Sequence, residues 1–95
     1  MFDLSSPICE IPLVFLDVET TGLRPQWGDR VCEVAMLRVQ RGELADALQQ
    51  LVNPQRPMDP RAYAVHGIGD DLLRDAPLFA EVAGDVADLL CGAVV

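Results

Sequence analysis

Ile11 to Leu16 is the longest apolar run in the chain, and with the acids that follow it reads as a buried strand reaching Glu19. Pro12 stands near its start, where a strand tolerates proline. Thr20, Thr21, Gly22 and the Arg24-Pro25 step end the strand in a loop running to about Gly28. Val31 to Val39 is rich in valine and apolar on both faces, which predicts a second strand. Gln40-Arg41-Gly42 supplies a tight reversal after it. Glu43 to Val52 is ambiguous. Alanine, leucine, glutamate and glutamine favour helix, whereas the short turn before it and Asn53-Pro54 after it favour a strand.

The second half changes period. Asp59 can cap a short helix that takes Pro60 at its first position and stops at Gly67. A further turn falls at Asp70 to Arg74. Pro77 then opens the clearest helix: Phe79, Val82, Ala83, Val86, Leu89 and Leu90 share one side and are expected in the core. Glu81, Asp85 and Asp88 occupy the solvated side, and Gly92 is the expected left-handed stop. Ala93-Val94-Val95 reads as the opening of another buried strand, so the chain reads as incomplete. Residues 1–10, with the turn-forming Ser5-Ser6-Pro7, read as a flexible tail before an incomplete domain over 11–95.

Composition narrows the function classes. A chain of 95 residues, 51% hydrophobic and 23% charged, suits one globular domain or part of one. No apolar run is long enough to span a bilayer, and no secretory leader is visible, so no membrane partner is expected. Three cysteines without a close pair suggest neither a disulfide framework nor a zinc knuckle, and point to a reduced, cytoplasmic setting. The net charge of −8 argues against a broad basic surface gripping many phosphates. It is compatible with an enzyme that holds a few terminal nucleotides through divalent ions.

Asp17-Val18-Glu19 carries the chemistry. Residues i and i+2 of a strand project from one face, roughly 6.5–7 Å apart along the chain. Two neighbouring carboxylates at a strand end repel each other and are costly to desolvate, unless a cation sits between them. Magnesium and manganese prefer such oxygen ligands. A bare Asp-x-Glu would more often be two solvated acids, so the flanking residues decide.

Val14-Phe15-Leu16-Asp17-Val18-Glu19-Thr20-Thr21-Gly22-Leu23 closely resembles the first motif of the DEDD superfamily of 3′–5′ exonucleases, above all the proofreading epsilon subunits of bacterial DNA polymerase III. Later landmarks keep the same order. Asp29 to Ala35 is similar to that family's second strand, and Leu51-Val52-Asn53-Pro54 to the end of its third. Tyr63-Ala64-Val65-His66-Gly67-Ile68 resembles its His-Gly-Ile turn, and Ala76-Pro77 with Phe79 the helix that follows.

The resemblance implies an α/β, ribonuclease H-like exonuclease fold, truncated: three antiparallel strands, short helices, an amphipathic helix and the start of a parallel fourth strand. It tips Glu43 to Val52 to strand. It implies that Asp17 and Glu19 are catalytic ligands of two Mg2+ or Mn2+ ions, with Asp17 the bridge. Thr20, Thr21, Leu23, Val65 and His66 would lie on the substrate side, with Leu23 against the terminal base. For His66 a structural hydrogen bond stands equally open, and it is not the family's general base, which belongs to a later motif. Gly22 would allow a positive φ or close approach of the nucleotide.

The family's second motif would follow Val95, and its third lies further on, so half of the four carboxylates are present. The 95 residues alone are therefore expected to be inactive or nearly so. The substrate would be the 3′ end of single-stranded DNA, with RNA not excluded, and a polymerase subunit a candidate partner. The competing reading is a non-catalytic remnant or adaptor that pairs through an open sheet edge. An isolated calcium loop is disfavoured, since Asp29 and Glu33 lack EF-hand spacing.

Overall fold

A computed structural model describes residues 11–95; the expected tail over 1–10 lies outside them. Three strands, β1 (Leu13–Thr20), β2 (Val31–Gln40) and β3 (Glu43–Leu51), form one antiparallel sheet in the order β1-β2-β3. Short helices α1 (Pro60–His66) and α2 (Asp70–Leu73) lead to α3 (Phe79–Leu90). The element order and sheet follow the expected ribonuclease H-like plan.

Local chemistry explains the boundaries. Gln40 pairs with Glu43, and the two residues between them have positive φ, 54° at Arg41 and 76° at Gly42. This is the backbone that a two-residue hairpin matched to strand twist requires. It forces the following segment back along β2, so Glu43–Leu51 is a strand despite its helical composition. The Asp59 carboxylate accepts from the Arg61 backbone N–H at 2.8 Å and caps α1, with Pro60 at the first position. Gly67, at φ 69°, ends that helix. The α3 start falls two residues after Pro77, where the Glu81 carboxylate accepts from the Leu78 N–H at 3.2 Å.

One face of the sheet is closed by α3. Val14, Val34, Met36 and Val52 pack there against Val82 and Leu89. Arg38 fixes the far end of the helix by donating to the carbonyls of Leu89 at 2.7 Å and Cys91 at 2.8 Å, an arrangement favoured at the negative end of the helix dipole. A smaller cluster of Cys32, Ile68 and Leu73 seats α2.

Two expectations need correction. Strand β1 is not buried along its length: Val14 is enclosed, but Phe15, Leu16 and Val18 are exposed. It is an outer strand, whose free side meets, among the described residues, only the parallel bridge from Leu13 to Val94. The second strand buries Cys32, Val34 and Met36, while Leu37 on its other face is exposed. Phe79 is exposed in the first turn of α3 rather than in the core. Val94 does pair, donating to the Pro12 carbonyl and accepting from the Val14 N–H, both at 2.9 Å. Among the described residues no helix is long and apolar enough to cross a membrane.

Candidate active site

The in-register pairing of β1 with β2 sets Asp17 opposite Ala35 and Glu19 opposite Glu33. The irregularity in this ladder falls after Glu19, so both acids keep the alternation that puts them on one face. That face is the one α3 does not cover. Neither carboxylate takes part in an ion pair or a side-chain hydrogen bond among the described residues. Glu33 stands directly across from Glu19, and like charges so placed destabilise a sheet. Unpartnered oxygen donors in this arrangement, Asp17 exposed and Glu19 half-buried, suit a hard divalent cation. Two ligands are what the strand supplies, for no group of three possible metal ligands exists among the described residues.

Glu19 borders a cleft of about 350 Å³ between the β1–β2 loop and α1. Leu23, 94% exposed, and Val65, 83% exposed, give it apolar walls. Thr20 lies beside them, its hydroxyl donating to the Gly22 carbonyl at 2.7 Å. His66 also borders the cleft, and its ring joins two elements. Nδ1 accepts from the Ile68 N–H and Nε2 lies 3.0 Å from the Thr20 carbonyl. Because Nδ1 is an acceptor, the ring proton belongs on Nε2, which donates to Thr20. Of the two roles open to His66, the structural bond is the one this geometry makes: it ties the end of α1 to the end of β1.

Beneath the loop, Asp29 is the organising acid. It accepts from the Thr21 hydroxyl at 2.8 Å and the Arg24 N–H at 3.0 Å, with Arg56 3.6 Å away. The Thr21 hydrogen bond, then that from Arg24, holds the Asp29 carboxyl below its ordinary value of 3.8. Thr21 is 0% exposed and its hydroxyl also accepts from the Arg30 N–H at 3.0 Å. Its side chain is therefore enclosed beneath the loop and, unlike that of Thr20, does not line the cleft. Gly22 has no positive φ. A Cβ there would come within 2.3 Å of an Asp29 oxygen, so glycine is required by the carboxylate packed under the loop. Asp59, on the cleft wall, is likewise held below 3.8, first by the Arg61 backbone N–H and then by the Arg61 guanidinium. On the other face of the sheet, burial pushes the Cys32 thiol up to about 11, with Glu19 and Glu33 adding to the effect.

The fold thus gathers Glu19, Thr20, Leu23, Val65 and His66 around one cleft. Asp17 lies one alternation back, beside Phe15 and Leu37 on the uncovered face. Sequence reasoning missed Glu33, Asp29, Arg24 and Arg61. Counting the hairpin register from Gln40-Arg41-Gly42 places only β2 against β3; Glu33 needed the β1–β2 register, which a ten-residue loop leaves open.

Comparison with known proteins places the chain in a family. The RNase_T family model, described as Exonuclease, matches residues 14–95. An epsilon-like protein of DNA polymerase III from Rhodobacter capsulatus is 36% identical over 92 residues, 95% of this chain and 13% of that protein. The DNA polymerase III epsilon subunit of Rickettsia prowazekii is 40% identical over 73 residues, 76% of this chain and 32% of that protein. The chain therefore spans about a third or less of these relatives. Among solved structures, exonuclease X in complex with 5′ overhanging duplex DNA superposes with a TM-score of 0.69 at 31% identity, covering 78% of this chain and 42% of that one. The nuclease domain of 3′hExo, a DEDDh family member, has a TM-score of 0.69 at 23% identity over 83% of this chain and 43% of that one, a likeness of fold.

Proposed function

This chain belongs to the RNase_T exonuclease family, and we propose on that premise that it is the metal-binding end of a 3′–5′ exonuclease that hydrolyses terminal phosphodiesters of DNA. The observation that carries the reading is the pair Asp17 and Glu19. They leave one face of β1 without a protein partner among the described residues, and Glu19 borders a cleft walled by exposed apolar side chains. Asp17 and Glu19 would hold Mg2+ or Mn2+. Bound divalent ions supply Lewis acidity at the phosphate and a more acidic water.

The remaining residues orient the strand end. Leu23 and Val65 offer apolar surface to the terminal base, and the bond from His66 to Thr20 fixes the spacing of the two cleft walls. Thr20 presents hydroxyl lone pairs beside Glu19 while its proton is held by Gly22. With only Asp17 and Glu19 offered to the metal and no group of three possible ligands among the described residues, the 95 residues bind metal weakly and position no attacking water, so turnover by them alone is slight. The similarity to polymerase III epsilon subunits supports proofreading or repair in the cytoplasm, beside a polymerase subunit.

The test follows 5′-labelled single-stranded DNA with Mg2+ or Mn2+, using the 95 residues alone and within a chain of their relatives' length. Stepwise shortening from the 3′ end by the longer chain, abolished in Asp17→Ala, is expected. Internal cuts or loss of the 5′ label would overturn the direction, and full turnover by Asp17→Ala the metal role. An RNA strand of the same sequence reads the sugar preference.

A further inference from the structure

The cleft at Glu19 shares its Arg24, Asp59 and Arg61 wall with a second hollow, a groove of about 560 Å³ that continues to Trp27 and Arg56. Trp27 is the only tryptophan and is 72% exposed, an unusual state for so large an apolar ring. Its backbone is nevertheless fixed. The segment Pro25–Trp27 is a 3-10 turn in which the Trp27 N–H donates to Arg24 at 2.9 Å, and Arg56 Nη1 donates to the Trp27 carbonyl at 3.1 Å. Gly28, at φ 93°, makes this possible: a Cβ there would stand 2.7 Å from that same Nη1. The ring is thus presented to solvent on a rigid support.

Charge points to the occupant. The whole chain has a net charge of −8, yet along this groove three arginines (Arg24, Arg56 and Arg61) face two aspartates. Both aspartates are already engaged, Asp29 by Thr21, Arg24 and Arg56, and Asp59 by the α1 cap and Arg61. The Arg56 Nε is enclosed without a hydrogen-bond partner among the described residues. An exposed aromatic ring among arginines is the combination that binds single-stranded nucleic acid without reading its sequence.

We infer that this groove is a second nucleotide subsite, in which Trp27 stacks on a base and Arg56 and Arg61 meet phosphates of a strand whose terminal nucleotide lies in the Glu19 cleft. The inference rests on the exonuclease reading above and adds a strand path to it. It makes affinity depend on strand length, because a mononucleotide fills the cleft without reaching Trp27.

The single tryptophan makes the test direct. The chain is titrated with thymidine monophosphate and with oligothymidylates of increasing length, following Trp27 emission and the NMR signals of Leu23 and Val65. The monophosphate is expected to shift Leu23 and Val65 and leave the emission unchanged, whereas the longer strands quench it. Trp27→Ala should weaken the longer strands on the order of tenfold and leave the monophosphate alone, with Trp27→Phe intermediate. Arg61→Gln should flatten the salt dependence of oligonucleotide affinity by about 0.7 in the log–log slope, one phosphate contact. If longer strands shift Leu23 and Val65 but do not quench Trp27, the groove is not a subsite and the exonuclease cleft stands. If no nucleotide shifts Leu23 or Val65, the cleft reading fails and this inference with it.

Discussion

Two pairs of carboxylates lie within a few residues of the same cleft and have opposite surroundings. Asp29 and Asp59 are enclosed by donors: a buried threonine hydroxyl, backbone N–H groups and two guanidinium groups. Asp17 and Glu19 have none of these among the described residues, and Glu19 has a third acid, Glu33, set against it. The first pair shapes the loop and the helix start. The second is an arrangement that the polypeptide by itself leaves repulsive, and that a bound cation would relieve. Acids that look alike in composition are therefore separated by whether the fold supplies a donor.

The largest effect should come from asking each pair to bind metal. Asp17→Asn is expected to weaken Mn2+ binding to the chain by at least the roughly 10–100-fold that loss of a supporting partner costs a metal site. Its melting temperature should stay level or rise, because repulsion is relieved. Asp59→Ala should do the reverse, keeping Mn2+ affinity while melting earlier through loss of the α1 cap. Calorimetric Mn2+ titration and thermal melts of both variants read the contrast. Equal metal affinities in the two would erase the distinction.

A smaller change probes the donor side. Thr21→Val preserves shape but leaves the Arg30 N–H and an Asp29 oxygen without the hydroxyl, and should cost about 1–3 kcal/mol in a denaturant melt. An unchanged midpoint would show that this hydroxyl is dispensable to the loop.

The smallest contrast is in acid. Asp29 and Asp59 titrate below their ordinary value of 3.8 when folded. Folding therefore gains from their charged forms above that value, and the gain is lost as the pH falls through the depressed folded values. Asp29→Asn should melt earlier than the parent at neutral pH and lose less on acidification below 3.8, as melts across that range would record. Parallel curves for the two proteins would remove Asp29 from the acid limb.

The sequence was legible wherever one residue type answers one backbone demand. Asp59, Pro60 and Gly67 mark both ends of α1, Arg41-Gly42 makes the hairpin, and Asp17-x-Glu19 on a strand requires two acids on one face. The helix propensity of Glu43–Leu51 pointed the other way, and the turn overrode it because a two-residue reversal leaves only antiparallel pairing. Thr20, Leu23, Val65 and His66 were placed near the substrate by resemblance, and the fold does bring them round one cleft.

Burial and partnership lay beyond the sequence. Nothing in Thr20-Thr21 tells which threonine turns inward; packing on Asp29 decides that Thr21 is enclosed while Thr20 stays at the cleft. Gly22 answers a steric demand from a residue seven positions later, and Trp27 stands in solvent because Arg56, twenty-nine positions on, holds its carbonyl. Local rules act over a few residues and are written in order along the chain. Which acid meets a donor and which is left facing another acid depends on distant segments converging, and only the folded chain fixes that.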